Sequence, residues 1–161
     1  MKMGYNGPMS SLKIFLLGPP RLERDGRLLK MDTRKAIAML AYLALTGERQ
    51  TRDRLAAFLW PEYDDRRGKA ALRRTLPTLK TAVGGNSLDI TREAIGLRED
   101  QLWCDVIQFQ HYVAIREWEP AVALYRDDFL AGFSLRDSMP FDDWQVTEAE
   151  VLRREMSIAL E

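Results

Sequence analysis

The sequence predicts an α+β fold, in which a small antiparallel sheet precedes three helices, a second β-hairpin follows them, and a helical segment comes last. Short apolar runs bounded by Gly, Pro and Asp-Gly turn signals predict the strands. Apolar residues spaced three and four positions apart predict the helices. The 161 residues are 46% hydrophobic and 30% charged, which is typical of a globular protein with a real core.

Residues 12–31 carry the signals for the first sheet. Residues 12–17 are a short apolar run that ends at Gly18-Pro19-Pro20, and Asp25-Gly26 is a strong hairpin signal between residues 21–24 and 27–31. The apolar run is too short for the core of a signal peptide, and no run approaches the roughly 18 apolar residues of a membrane span. Residues 1–11 show no period and are interpreted as a flexible lead-in.

Two helices are predicted next, over residues 33–46 and 52–59, with a brief extended link between them at residues 49–51. The first is apolar nearly all round, which predicts a buried helix. Asp32 or Thr33 can cap the start of the first helix, and Gly47 ends it. The second helix opens at Thr51 or Arg52 and stops at Pro61.

The third predicted helix covers about residues 66–83, with Asp64 or Asp65 as its cap and Gly84-Gly85 at its end. Its apolar stripe repeats every three or four residues and comprises Leu72, Leu76, Leu79 and Val83. Pro77 lies inside this helix. Because a proline costs about 3 kcal/mol in a regular helix, we expect a bend or an early end there.

A second hairpin is predicted from residues 88–91 and 95–97, with the turn at residues 92–94. The pattern is helical after that point. The three expected helices are residues 105–115, 120–130 and 141–160. We therefore predict a domain boundary near residues 103–105, which divides the chain into residues 12–104 and 105–161. The last helix still runs at Glu161, which suggests a fragment of a longer protein.

The two halves of the chain carry opposite charge, although the formal net charge is zero. Residues 1–83 hold 17 Lys and Arg against 8 Asp and Glu, whereas residues 84–161 hold 7 against 16. Such asymmetry predicts two parts with different partners. A basic half attracts a polyanion even when the whole chain is neutral.

No enzyme site can be assembled from the sequence, and we expect neither a cofactor nor a metal. The single Cys104 and single His111 exclude a disulfide or a Cys/His zinc site within one chain, and they fit a reducing cytosol. The acidic pairs Asp64-Asp65 and Asp142-Asp143 lie where helices start, so they are interpreted as caps and not as acid/base groups. Cys104 is interpreted as a core residue, and His111 as a packed or surface side chain.

The third helix carries the strongest functional signal. It has six cations and no acid between Arg66 and Val83. Solvated helices usually alternate in charge sign, so this one-sided charge predicts a face that binds a polyanion. A short helix, a turn at residues 60–65 and a basic second helix match the helix-turn-helix plan, in which the second helix enters the DNA major groove.

Candidate DNA contacts follow from this plan. Arg73 and Arg74 lie deep along the helix and are expected to read bases, whereas Arg66 and Arg67 in its first turn suit phosphates. Arg92 lies at the predicted tip of the second hairpin, where a plain surface turn is an equally open interpretation because Glu93 is beside it. The complete candidate set is Arg52, Arg54, Arg66, Arg67, Lys69, Arg73, Arg74, Thr75, Thr78, Lys80 and Arg92.

Several segments resemble one family of regulators. These are Leu12-Lys-Ile-Phe-Leu-Leu-Gly18, Arg34-Lys-Ala36, Leu40-Ala-Tyr-Leu-Ala44, Arg54-Leu-Ala-Ala-Phe-Leu-Trp-Pro61 and Ala71-Leu-Arg-Arg-Thr-Leu76. They resemble the N-terminal domain of the antibiotic regulatory protein (SARP) family of transcriptional activators. The segment Ala123-Leu-Tyr-Arg-Asp-Asp-Phe-Leu-Ala-Gly-Phe133, with Phe141-Asp-Asp-Trp144 after it, resembles the start of the bacterial transcriptional activator domain of that family.

The resemblance implies an OmpR/PhoB-type winged helix, made of an N-terminal antiparallel sheet, three helices and a C-terminal β-hairpin wing, followed by tetratricopeptide-like helices. It implies binding to double-stranded DNA at promoter direct repeats, self-association there, contact with RNA polymerase, and a place in the bacterial cytoplasm at the nucleoid. It also marks the third helix as the reader. Family members usually carry Arg or Lys where this chain has Pro77 and Thr78.

An alternative of another class stays open at this point. The winged helix could be a protein-interaction or autoinhibitory module of a larger signalling protein, with the acidic helices holding the partner. Pro77 and the thinner basic face around it favour this alternative slightly. Selection from random DNA sequences separates the two, because only a regulator recovers a repeated motif.

Overall fold

The fold was described from a computed structural model, which describes residues 12–31 and 33–161. The lead-in predicted for residues 1–11 and the candidate cap Asp32 lie outside this range. The described part is a mixed α+β structure, as the sequence predicts. Its strands are β1 Leu12–Phe15, β2 Arg21–Arg24, β3 Arg27–Leu29, β4 Gln50–Thr51, β5 Leu88–Ile90, β6 Ala94–Leu97 and β7 Leu102–Cys104. Its helices are α1 Arg34–Thr46, α2 Arg52–Leu59, α3 Asp65–Val83, α4 Asp105–Ala114, α5 Trp118–Leu124 and α6 Met139–Leu160.

The first sheet has four strands in the order β3-β2-β1-β7. The hairpin between β2 and β3 turns at Asp25 and Gly26, whose φ angles of 54° and 81° are the positive values that a tight type I′ turn requires. The sequence analysis did not predict β7, which pairs parallel to β1 with Leu12 opposite Leu102. The chain thus returns to its first strand just before α4.

Helices α1 and α2 begin and end where the sequence predicts, to within a residue. Gly47, with φ of 68°, closes α1 in the left-handed conformation. The Thr51 side chain accepts the Arg54 N–H at the start of α2. The sequence offered Asp32 or Thr33 as the cap of α1. Thr33 lies at the N-cap position but its side chain makes no cap hydrogen bond, and Asp32 lies outside the described residues. Only the Thr33 backbone oxygen accepts, from the N–H groups of Ala36 and Ile37.

Helix α3 is continuous through Pro77, and the early end that the sequence allowed is wrong. The predicted stripe of Leu72, Leu76, Leu79 and Val83 is buried. Pro77 is exposed on the opposite face of the helix. Its ring nitrogen carries no N–H to donate to the Arg73 carbonyl oxygen. Helix α3 continues for six residues beyond Pro77, and the buried side chains of Leu79 and Val83 hold these last turns against the core.

The second hairpin, β5–β6, belongs to a three-stranded sheet in the order β4-β6-β5. The predicted extended link forms β4, in which Gln50 and Thr51 pair with Ile95 and Ala94. The turn lies at residues 91–93, one residue earlier than predicted. The strand before α2 is therefore joined directly to the hairpin that follows α3.

The predicted helix over residues 120–130 is wrong in its second half, since α5 ends at Leu124. The Leu130 N–H donates to the Leu16 carbonyl oxygen at 2.8 Å, and the Gly18 N–H donates to the Asp128 carbonyl oxygen at 3.0 Å. Phe129 and Leu130 are buried. These bonds to the end of β1 replace helical bonds, so residues 125–138 form an irregular connection to α6.

An aromatic cluster joins α6 to α1 and α2. It comprises Tyr42, Phe58, Phe129, Phe141 and Trp144, with ring centroids 4.3 Å apart for Tyr42 and Phe58 and 5.0 Å apart for Tyr42 and Trp144. The buried core runs without interruption from residue 12 to residue 152. The domain boundary near residues 103–105 stays a prediction. No helix in the described part of the chain is both long and apolar enough to cross a bilayer.

Candidate nucleic-acid interface

The basic face of α3 is built by the packing of its other side. Asp64 caps the helix by accepting the Arg67 N–H at 2.8 Å, which fixes where the first turn begins. The buried stripe then holds α3 against the core, and the residues between its members turn outward. The exposed residues of this face are Arg66, Arg67, Lys69, Arg73, Arg74, Pro77, Thr78, Lys80 and Thr81.

Four cations of this basic face have no partner among residues 12–31 and 33–161. The side chains of Arg66, Arg73, Arg74 and Lys80 make no hydrogen bond or ion pair with any residue that the structure describes. Exposed cations without a carboxylate partner keep their full charge available to an external anion. The sequence predicted this outward, one-sided charge.

The other two cations of α3 have partners nearby. One contacts the turn between α2 and α3, and the other contacts α2. The Arg67 guanidinium lies over the Tyr63 ring, 4.4 Å from its centroid. The Lys69 Nζ lies 3.0 Å from Asp53 Oδ1 of α2. The Lys69 and Asp53 side chains are exposed, so this pair is weak and does not prevent Lys69 from exchanging partners.

Thr75 does not lie on the basic face. It is 9% exposed, and its hydroxyl donates to the Ala71 carbonyl oxygen at 2.9 Å. A threonine hydroxyl that is buried and bonded one turn back along its own helix is out of reach of a ligand on the opposite face. Thr75 therefore cannot contact DNA from this face, whereas Thr78 is exposed on it.

The candidates on α2 and the second hairpin have different environments. Arg54 is exposed and its guanidinium has no partner among the residues described. Arg92 is likewise exposed at the β5–β6 turn, and no other described side chain pairs with it. Arg52 is half-buried, and its guanidinium donates to the Thr91 carbonyl oxygen. Arg52 is thus occupied by the protein itself.

A residue of the first sheet holds the far end of α3. The Arg24 Nη2 donates to the carbonyl oxygen of Val83, the last residue of the helix. A cation is favourable at a helix C-terminus, where carbonyl oxygens lack N–H partners. Gly84 follows with φ of 85°, and a Cβ there would lie 3.0 Å from Arg24 Nη2. Sequence reasoning missed this contact because 59 residues separate its two partners.

Two further cations of the basic half are used inside the protein. The Arg34 guanidinium donates to the Ser134 carbonyl oxygen and lies 4.7 Å from the centre of the Phe133 ring. The Lys35 Nζ donates to the Leu59 carbonyl oxygen and lies 3.0 Å from Asp137 Oδ1. The positive charge of residues 1–83 is therefore not all on one surface.

Asp142, Cys104 and His111 are the residues here whose side chains could do acid/base or nucleophilic chemistry, and each has a different environment. The Asp142 carboxylate accepts the N–H groups of Leu135 and Arg136 at 3.0 and 3.1 Å. Cys104 is buried, and burial raises the pKa of its thiol to about 12. His111 is exposed on α4. The described residues contain no group of three or more His, Cys, Asp or Glu that could hold a metal ion.

The chain was compared with family models, curated protein sequences and solved structures. No family model and no curated protein sequence matches the chain. Among solved structures, EmbR of Mycobacterium tuberculosis in complex with a low-affinity phosphopeptide is similar, with a TM-score of 0.70 and 22% identity. The match covers 93% of this chain and 44% of the EmbR chain, so this chain spans less than half of EmbR. EmbR is a SARP-family regulator, and at this identity the likeness supports a SARP-like fold alone.

Proposed function

We propose that this chain is a sequence-specific double-stranded DNA-binding regulator of transcription, acting as an activator, which reads the major groove with α3. The observation that carries the proposal is the basic face of α3, where four exposed cations pair with none of the residues that the structure describes. A groove-reading helix needs such a face, because phosphate and base-edge contacts both come from outward Lys and Arg side chains.

In this proposal α1, α2 and α3 form the helix-turn-helix core of a winged helix, and the β5–β6 hairpin is its wing. Residues 12–104 are then the DNA-binding domain of the OmpR/PhoB type. Helices α4, α5 and α6 begin a tetratricopeptide-like activator domain. The resemblance of the sequence to the SARP family supports this division, and the structural likeness to EmbR supports the fold on which it rests.

The partners follow from the same resemblance. We propose that the protein binds direct repeats at promoters, self-associates on them and contacts RNA polymerase, in the bacterial cytoplasm at the nucleoid. Arg73 and Arg74 are the proposed base readers. Arg66, Lys80 and Arg92 are the proposed phosphate or minor-groove contacts, and Arg54, Arg67, Lys69 and Thr78 flank them.

Binding to duplex DNA at increasing salt tests the electrostatic part of the proposal. If the four partnerless cations of α3, alone or with Arg92, each neutralise a phosphate, the slope of log affinity against log salt is about −3.6 to −4.5. Affinity then falls about a hundred- to five-hundred-fold between 50 and 200 mM salt. Fluorescence anisotropy with a labelled duplex measures the slope, and a value near zero would contradict DNA binding.

Selection from a random-sequence duplex library tests the reading part. The regulator recovers a repeated motif, and Arg73→Ala or Arg74→Ala each costs about 1–3 kcal/mol on that motif while relaxing one of its positions. Arg154→Ala is the matched control, because Arg154 is an exposed arginine on α6 far along the chain from α3. Recovery of no motif, with weak and sequence-blind binding, supports the protein-interaction module instead.

A further inference from the structure

Arg52, the first residue of α2, lies against the turn between β5 and β6. Its Nε and Nη2 atoms donate to the Thr91 carbonyl oxygen at 3.3 and 3.0 Å. Its backbone N–H donates to the Glu93 carbonyl oxygen at 2.9 Å. Three donors of one residue thus hold the two carbonyl groups on either side of Arg92.

The turn closes on itself without Arg52. The Thr91 hydroxyl oxygen accepts the N–H groups of Glu93 and Ala94 at 3.3 and 3.0 Å, and the Thr91 N–H donates to the Ala94 carbonyl oxygen at 2.9 Å. An ST-type turn of this kind fixes the shape of the tip. It does not fix the direction in which the tip points relative to α2 and α3.

Contacts with the start of α2 join the turn to the helices. Strand β4 pairs with β6, the strand that leaves the turn. Just before β4, Arg49 Nε lies 2.9 Å from Asp89 Oδ2 in the middle of β5. Thr91 follows β5, the outer strand of this sheet. Among the residues described, the Arg52 guanidinium supplies the hydrogen bonds that reach from α2 to this outer side.

We infer that Arg52 is a positioning residue, which orients the β5–β6 turn so that Arg92 contacts DNA at a fixed distance from the basic face of α3. The inference rests on the proposed function, because it assigns the contact to Arg92. Arg92 is exposed and without a described partner, whereas Arg52 is half-buried and spends two donors on a protein carbonyl. An oriented turn also loses less conformational freedom on binding than a mobile one, which favours affinity.

The first test needs no DNA. In the full chain, Arg52→Ala keeps the backbone N–H and the β4–β6 pairs, so the fold is retained while the turn loses its anchor. We expect the ¹⁵N order parameters of Arg92 and Glu93 to fall from about 0.85 towards 0.6. Arg54→Ala is the matched control for the order parameters, since Arg54 is exposed in the same turn of α2 and its guanidinium pairs with no described residue. Unchanged order parameters in Arg52→Ala overturn the positioning role.

The second test is a double-mutant cycle on the salt slope, with a labelled duplex. Arg92→Ala reduces the magnitude of the slope by about 0.9, the share of one phosphate contact. Arg52→Ala gives a similar reduction in the wild-type background and none in the Arg92→Ala background, because both variants remove the same contact.

The other outcomes are distinguishable. If Arg52→Ala reduces the slope by about 0.9 in both backgrounds, Arg52 itself contacts a phosphate and the inference is wrong. If it reduces the slope in neither, Arg92 does not depend on Arg52 for its contact with DNA, and the inference is also wrong. A wild-type slope near zero overturns the proposed function and the DNA part of this inference, whereas the order parameters still decide whether Arg52 orients the turn.

Discussion

Cys104 and Asp105 are adjacent buried residues at the start of α4, and their polar atoms meet different surroundings. The Asp105 carboxylate accepts the N–H groups of Leu16 and Leu17 at 2.8 and 2.9 Å, which ties α4 to the end of β1. Burial raises the pKa of this carboxyl, against the opposing effect of the two N–H groups and of Arg126. For the Cys104 thiol, burial and the negative charge of Asp105 both raise the pKa, which reaches about 12.

Native Cys104 is expected to resist alkylation. At pH 8 a thiol with a pKa of about 12 is on the order of 10⁻⁴ ionised, and only the thiolate reacts. Iodoacetamide should therefore modify the native chain at least about a thousandfold more slowly than the chain unfolded in denaturant, as mass spectrometry can follow. Equal rates in the two states would show that Cys104 is accessible.

The same pKa shift predicts the direction of a pH effect on stability. The folded-state pKa of Cys104 lies above that of the unfolded chain, so the folded state holds the thiol proton more tightly. This contribution to stability is complete below the unfolded pKa of about 8.5 and is lost as the pH rises towards 12.

At the scale of elements, Pro77 and the β5–β6 hairpin are held by different contacts. Pro77 is on the exposed face of α3, whereas the hairpin is held by β4 and by Arg52, which precede α3 in the chain. The sequence predicted a bend or an early end of α3 at Pro77, and a bend there would change the angle between α3 and the hairpin. We infer that the start of α2, through the Arg52 hydrogen bonds, sets the direction of the turn instead.

Replacing Pro77 is expected to stabilise α3. In Pro77→Ala a backbone N–H becomes available to the Arg73 carbonyl oxygen, and alanine is up to about 3 kcal/mol more favourable than proline in a helix interior. We expect a gain of about 1–3 kcal/mol, with about 2–4 °C in Tm for each kcal/mol, and an unchanged salt slope for DNA. Calorimetry and anisotropy measure both.

Thr78→Ala is the control for this change, since it alters the neighbouring exposed side chain without restoring a backbone bond. An unchanged or lower Tm in Pro77→Ala would mean that the helix already accommodates the ring at no cost. A changed salt slope would mean that the hairpin depends on α3 after all.

At the scale of the whole molecule, the basic and acidic halves share one core. The aromatic cluster packs α6 against α1 and α2, and the Ser138 hydroxyl donates to the Phe58 carbonyl oxygen at 2.7 Å near the end of α2. Asp105 and the backbone of residues 128–130 bind the end of β1. If one half separated from the other, buried hydrogen-bonding groups in both halves would lose their partners. We therefore expect the two halves to unfold together.

Phe141→Ala tests this coupling. Phe141 is fully buried and contacts both Phe58 and Phe133, so its truncation should cost about 3–5 kcal/mol. Hydrogen exchange should then accelerate in α1 and α2 as well as in α6. Val146→Ala is the control, because Val146 is exposed on the same helix and its truncation should change stability by no more than about 0.5 kcal/mol. Faster exchange confined to α6 would show two independent units.

The sequence by itself determined the local elements and the charge of the candidate site. The spacing of Leu72, Leu76, Leu79 and Val83 fixed the buried side of α3, and so it also fixed that Arg73 and Arg74 point outward. The Asp25-Gly26 turn is equally local, because both residues tolerate the positive φ angles that a type I′ turn needs. Such signals act within a few residues, so periodicity and turn chemistry suffice to recover them.

Tertiary structure alone decided where residues depart from the structure that their local sequence predicts. Residues 125–130 stop being helical because their backbone bonds to Leu16 and Gly18, and Arg24 reaches Val83 across 59 residues. Arg52 looks like any exposed cation in the sequence, and only the approach of Thr91, 39 residues later, makes it an anchor for the turn. These contacts depend on how distant segments meet in space, and no local spacing encodes the distance between them.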